Sequence, residues 1–393
     1  MKPEQPPGPP DPSPIQFSPA PAVQPRATLL CLSHLRWDFV WQRPQQLMSR
    51  LATDYEVWFF EEPQFDERPE PYLEVREVAG GITVLVPWLP QDLGEQRIIS
   101  LQRQLLDGWL AQHHQAPLLL WYFTPMGLRF TRHLVGQVVV FDCMDELAAL
   151  RHAPPALAEL ERQLLERADV VFTGGLSLWE SRRERHDNVH LMPGSVDIAH
   201  FAHARLVQAE PADQADIGRP RLGFFGVLDE QLDLVLLREL AMRRPLWQII
   251  LIGPVARIDP ASLPRQPNLH YLGPRDYQTL PAYLSGWDVA LMPFAINEST
   301  RYISPTQPLE YLAGGRPVVS TPIHDVVECY ADSGVVSIAA TPQAFIEAIG
   351  LALDLTRQPA RLQALADRAL QGMSWDSTCE RIKEQIASLR HAL

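Results

Sequence analysis

Cysteine is scarce in this chain of 393 residues: Cys31, Cys143, Cys329 and Cys379 are all there are, and no two form a C-x-x-C pair. Four scattered thiols, two of them in apolar strand-like runs, are expected to be buried and reduced, as in a cytosolic protein. Basic residues are also short, 34 Lys and Arg against 47 Asp and Glu, for a net charge of −13. That balance argues against nucleic acid as a partner, which rewards a basic face. No run approaches the ~18 apolar residues of a membrane span. The first residues, MKPEQPPGPPDPSPIQFSPAPAVQPRA, contain no apolar h-region, so no secretory signal is expected. Ten of the first 25 residues are proline, a composition that cannot build backbone ladders and reads as a disordered, solvated tail over 1–26. No G-x-G-x-x-G follows Ala27–Ser33, no G-x-x-x-x-G-K-[ST] occurs anywhere, and there is no H-E-x-x-H. Nicotinamide and flavin Rossmann enzymes, P-loop NTPases and zinc hydrolases are therefore disfavoured.

What the chain does have is two series of short apolar runs separated by helical patterns. The first series comprises Ala27–Ser33, Glu56–Phe60, Ile82–Trp88, Pro117–Phe123, Gln137–Cys143 and Ala168–Gly174. Its helices include one opened by Pro44, with Leu47, Met48 and Leu51 on one face. A second spans Glu95 to His114, with Ile98, Leu101, Leu105 and Trp109 on a core-facing stripe, and a third runs from Pro155 to Arg167. Polar, aperiodic sequence over 202–219 reads as a linker. The second series follows: Arg221–Val227, Trp247–Gly253, Asn268–Gly273, Trp287–Phe294, the strand in RPVVSTPI and Gly334–Ala340. Apolar strands alternating with helices predict parallel sheets with right-handed crossovers. The expected class is α/β, with two doubly wound Rossmann-like domains, 27–201 and 220–373, facing one cleft, and a final helical segment over 374–393. Ligands in such sheets bind beyond the carboxyl ends of the strands.

The stretch ISPTQPLEYLAGGRPVVSTPI, from Ile303 to Ile323, is the most suggestive. Pro308 suits a first helical turn, Ser304 or Thr306 can cap it, and Gly314–Gly315 end it. Pro305 has no N–H to give, but the free amides around Ser304 and Thr306 and the start of the helix that follows would form a mouth for an anion such as a diphosphate. A carboxylate one turn inside, Glu310, can accept hydrogen bonds from two vicinal hydroxyls, as ribose presents them. The plainer reading of Glu310 is a complement to the helix dipole. At a strand end, FDCMDE offers Asp142, Asp145 and Glu146; a polar strand-to-helix turn accounts for them better than a metal site does.

SPTQPLEYLAGGRPVVSTPI resembles the donor-site signature of the family-4 glycosyltransferases of GT-B fold. Other pieces agree in order: GSVDIAHF over Gly194–Phe201, LGFFGVLDE, LIGP, NLHYLGPRDYQTLPAYLSGWDVALMPF and SWDSTCERIKEQI. LSHLRWDFVWQRPQQLMSRLA with FDCMDEL is similar to a subgroup from bacterial surface-polysaccharide clusters. The resemblance implies a GT-B protein whose last helix crosses back onto the first domain. It implies a metal-independent hexosyltransferase, with no cofactor beyond its donor substrate, that moves a sugar with retention from a nucleotide-diphosphate sugar to a saccharide or lipid-linked acceptor. It would act in cell-surface polysaccharide biosynthesis, in the cytoplasm or at the cytoplasmic face of the inner membrane, where contact with an assembly complex stays open.

On this reading Gly226, Gly253, Ser304, Pro305, Thr306 and Glu310 lie on the donor side. His34, Asp142 and Asp145 are the catalytic candidates, and Trp37 and Trp41 are candidates to stack on a sugar ring. The chain departs from the pattern in three places. The first Glu of E-x7-E falls on Tyr302, the loop GVLDEQLD has no basic residue where the family carries Arg and Lys, and the lysine of the SPTK variant is Gln307. Arg301 and Arg275 are the candidate substitute cations. Two other classes stay open: a nucleotide-sugar epimerase of the same fold, and a non-catalytic partner in a polysaccharide assembly complex.

Overall fold

The structure is a computed structural model that describes residues 26–114, 116–147, 153–206 and 209–391. The Pro-rich tail lies outside the described residues, apart from Arg26. Two sheets, parallel but for one strand, organise the rest.

The first sheet has nine strands: β1 (Thr28–Leu32), β2 (Glu56–Phe60), β3 (Gln64–Asp66), β4 (Tyr72–Val78), β5 (Ile82–Pro90), β6 (Leu118–Tyr122), β7 (Val138–Cys143), β8 (Val170–Thr173) and β9 (Val189–Leu191). Their order is β3-β5-β2-β1-β6-β7-β8-β9, with β4 pairing antiparallel to β5 and the other pairs parallel. Every residue of β1 and β6 is buried. Successive side chains of β1 enter different cores: Leu29 and Cys31 on one face, Leu30 and Leu32 on the other. That two-sided burial is why these strands read as unbroken apolar runs. The long helix Glu95–His113 covers one face, but it is rotated from the expected stripe. Ile99, Leu106, Trp109 and Leu110 meet the core, rather than Ile98 and Leu105.

The second sheet has six strands: β10 (Arg221–Phe225), β11 (Gln248–Ile252), β12 (Leu269–Gly273), β13 (Val289–Met292), β14 (Val318–Ser320) and β15 (Val336–Ile338). They run parallel in the order β12-β11-β10-β13-β14-β15. Both sheets therefore reverse their winding beside the first strand, between β1 and β6 and between β10 and β13. Crevices open at the carboxyl ends of strands at such points.

The final helix, Trp375–His391, returns to the first unit. Trp375, Cys379, Ile382 and Ile386 share a core with Leu47 and Leu51 of the helix Arg43–Leu51. The segment expected as an aperiodic linker contains a short helix, Ala212–Ala215, and is bound to the second unit. Arg205 donates to the carbonyls of Ala313 (2.6 Å) and Leu312 (3.0 Å), and Gln214 accepts from Trp287 Nε1 at 2.9 Å. Three cysteines are buried and none is paired, but Cys329 is exposed, against expectation, because it sits on the outer side of the helix His324–Tyr330. Among the described residues no helix is long and apolar enough to cross a membrane.

Candidate functional site

A cleft of about 960 Å³ separates the two units, walled by the loops that follow β1, β7, β10, β11 and β12 and by residues 302–310. On the second unit's wall, Gly226 and Gly253 end adjacent strands. A Cβ on Gly253 would lie 1.8 Å from the Gly226 carbonyl oxygen, and φ at Gly253 is +147°. Only glycine allows that approach, which brings the two loops side by side. They are tied further on by a bridge between Leu228 and Val255 and an ion pair between Asp229 and Arg257.

Ser304, Pro305 and Thr306 line the cleft, next to the first unit. A Cβ on Gly175 would lie 2.4 Å from Ser304 Cβ, and one on Gly194 would lie 2.5 Å from Thr306 Cγ2. Glycines in the first unit thus let the second unit's loop come in close. Thr306 is the N-cap residue of the helix Gln307–Ala313, but no side chain caps it, which corrects the expected role of its hydroxyl and that of Ser304. The Thr306 carbonyl accepts from the amides of Leu309 (3.0 Å) and Glu310 (3.3 Å).

The Glu310 carboxyl lines the cleft, and no hydrogen bond or ion pair holds it among the described residues. Burial with no compensating partner pushes its pKa up to about 8. A side chain in that state gains from any ligand that brings hydroxyl donors.

The three acids of FDCMDE go to three different places. Asp142 is wholly buried and does not reach the cleft, which corrects its expected role at the reaction centre. Its Oδ1 accepts from Arg43 Nε at 2.8 Å, and Arg43 Nη1 donates to the Met192 carbonyl at 2.7 Å. The strand β7 points that side chain into the sheet's interior, where it needs a counter-ion. Glu146 pairs with the buried Arg182 at 2.7 Å. Asp145 does line the cleft, with burial pushing its pKa up and Arg257 across the gap pulling it down. Among the described residues no three His, Cys, Asp or Glu side chains converge as a metal site would need.

His34 leads from β1 into the cleft as expected. Burial holds its pKa down at about 4, one ring nitrogen meets the Phe123 backbone, and Nδ1 has no partner. It is a neutral imidazole at pH 7, able to hydrogen-bond a hydroxyl but not to act as a fixed cation. Trp37 packs against Phe59 (5.1 Å between centroids) and is 7% exposed, so it is core. Trp41, 36% exposed, faces the cleft beside Tyr277.

The two candidate cations do not serve as expected. Arg275 lines the cleft, but its guanidinium is engaged by Tyr283 Oη (2.7 Å), the Pro274 carbonyl (2.7 Å) and Asp213. Arg301 does not line the cleft; it is exposed and lies over its neighbour Tyr302. The sequence reading missed Arg257, four residues past the strand-end Gly253, where only the loop's proximity to Gly226 would have flagged it. It also missed Tyr277, whose hydroxyl accepts from Gln46 Nε2 of the opposite unit at 3.2 Å.

Residues 219–354 match the family model described as Glycosyl transferases group 1. A Bacillus subtilis protein named as a teichuronic acid biosynthesis glycosyltransferase, TuaH, is 27% identical over 218 residues, 51% of this chain and 55% of that protein. The match thus spans about half the length of that relative. The fold is shared with sucrose-phosphate synthase from Thermosynechococcus elongatus, at TM-score 0.70 and 15% identity over 94% of this chain and all of that one. Anabaena HepE in complex with UDP and glucose aligns at TM-score 0.68 and 15% identity, over 92% of this chain and all of that one. These two are glycosyltransferase structures of the GT-B type, and the chain has their fold.

Proposed function

From a chain of GT-B fold whose residues 219–354 match the group 1 glycosyl transferases, we propose a glycosyltransferase that moves a sugar from a nucleoside-diphosphate donor to a saccharide or lipid-linked acceptor, with retention of anomeric configuration. The observation that carries this reading is the partnerless carboxyl of Glu310, facing the cleft one turn inside the helix that follows Ser304–Thr306. A ribose diol supplies the two donors that group lacks. The loops after Gly226 and Gly253 meet at the carboxyl ends of two adjacent strands, where the backbone can come close to a diphosphate. The solved HepE complex, which holds UDP and glucose, supports a nucleotide as ligand.

On the opposite wall the neutral His34 and the carboxyl of Asp145 are placed to hydrogen-bond hydroxyls of the transferred sugar. The loop carrying Phe39 (50% exposed) and Trp41 offers an apolar face to the acceptor. Retention and independence from metal follow from the resemblance to family 4. In that mechanism the acceptor attacks on the face the diphosphate leaves, and donors fixed in the protein meet the charge that develops there. Closure of the two units around the donor would keep water out. The similarity to TuaH, named for teichuronic acid biosynthesis, supports a place in surface-polysaccharide synthesis; on this reading the protein works at the cytoplasmic side, with a sugar chain or its lipid carrier as acceptor.

A thermal-shift screen of UDP-, GDP- and ADP-sugars tests the donor site, and transfer to a saccharide acceptor with NMR of the new anomeric centre tests the chemistry. A raised melting temperature with one donor class and a retained configuration are expected. Failure of all three classes to stabilise the protein at millimolar levels overturns the proposal.

A further inference from the structure

The residues lining the cleft are acidic on balance: Asp38, Asp145, Glu146, Asp229, Asp276 and Glu310 against three arginines, with no lysine among the described residues. A diphosphate entering such a cleft needs a cation that can turn to meet it. Arg43 is 5% exposed and bound to Asp142 and the Met192 carbonyl. Arg275 is held by three groups. Arg257 differs from both. Its side chain is 45% exposed and has one partner, Asp229.

We propose that Arg257, turned away from Asp229, is the cation that receives the diphosphate of the donor, in place of the basic residues absent from the loop 226–233. The proposal rests on the glycosyltransferase reading above and adds a residue to it. Arg257 belongs to the neighbouring loop, after β11, yet the close approach of Gly253 to Gly226 puts that loop beside the one that lacks a cation. Its backbone holds φ = +61°, a left-handed conformation that costs a non-glycine residue roughly 1 kcal/mol and persists where the surroundings impose it. Asp229 can release the guanidinium without being orphaned, because its Oδ1 already accepts the Gln231 amide at 2.9 Å. Arg257 lines the cleft together with His34 and Asp145 of the opposite wall, and both feel its charge.

The test is calorimetric titration of the full chain with UDP, GDP and ADP, and with the nucleoside of whichever binds. For Arg257→Ala the diphosphate should bind ~10-fold weaker or worse, as for loss of a charge-assisted hydrogen bond, while the nucleoside keeps its affinity within about twofold. Asp229→Asn, which loosens Arg257, should tighten the diphosphate in the wild-type background and not in Arg257→Ala. Should Arg257→Ala fail to fold, Arg257→Lys and Asp229→Asn alone carry the same reading, since each alters diphosphate affinity and spares the nucleoside. Equal loss of nucleoside and diphosphate, or no loss of either, overturns the role of Arg257 and leaves the transferase reading standing. A wild-type protein that binds none of the three diphosphates overturns both.

Discussion

The two walls of the cleft are built by opposite means. On the first unit's wall the polar side chains are mostly engaged. Asp142 holds Arg43, Glu146 and Glu161 hold Arg182, and the buried Glu61 accepts the Trp37 amide at 2.8 Å. Those bonds fix the loop over 34–42 and the turn after β7. The second unit's wall leans more on backbone, with glycines at strand ends, and among its ionisable side chains Glu310 has no partner among the described residues and Arg257 has one. A buried charge held by its partner is fixed in place and costly to unpair, whereas a carboxyl without partners is free to gain them from a ligand. The contrast recurs within the second unit. Asp325, in the first turn of the helix His324–Tyr330, accepts the amides of Leu176 (2.8 Å) and Ser177 (3.0 Å) from the first unit. Glu310 sits in the first turn of its own helix and accepts none. One carboxylate joins the two units, and the other faces the space between them.

The sharpest way to break this comparison is Asp142→Ala. It should cost about 3–5 kcal/mol of stability by leaving Arg43 buried and unpaired, measured by denaturant unfolding. A stable but inactive variant would return Asp142 to the reaction centre. Glu310→Ala should do the reverse, keeping the fold and weakening nucleotide binding by more than ~1 kcal/mol; titration of the folded variant decides. Its pH dependence is equally specific. A carboxyl with a folded pKa near 8 and an ordinary unfolded value holds its proton longer in the native state. It therefore erodes stability as pH rises from about 4.5 to about 8, and Glu310→Gln should remove that decline. Asp325→Ala should lower stability by roughly 1 kcal/mol, the scale of a lost helix cap, and calorimetry would show whether the two units then melt apart. The smallest effect concerns His34. Its folded pKa of about 4 lies below the usual 6.5, so the unfolded chain binds a proton first as pH falls between those values. Stability drops there, and His34→Asn should flatten that acid limb without altering stability at pH 8.

Much of the frame was legible in advance. The buried strands β1, β6 and β7 announce themselves as unbroken apolar runs because both their faces are covered. The short or half-exposed strands β3, β4 and β9 went unseen. Three residues carry little pattern, and β4, an edge strand with Val75 43% exposed, has little burial to show. Among the candidate site residues, Glu310, His34, Gly226 and Gly253 all line the cleft, since each follows directly from a strand end or a helix start. Asp142 and Arg275 do not, because a charged side chain takes the partner that folding brings to it: Arg43, 99 residues earlier in the chain, and Asp213, 62 residues away.

By itself the sequence determined the alternation of strand and helix, the two-unit plan and the helix that presents Glu310, because periodicity and glycine placement act over a few residues. Tertiary structure alone decided which acids are sealed and which are open, and that Arg257 stands beside a loop with no cation of its own. Those outcomes depend on contacts between segments far apart in the chain, and local pattern does not encode them.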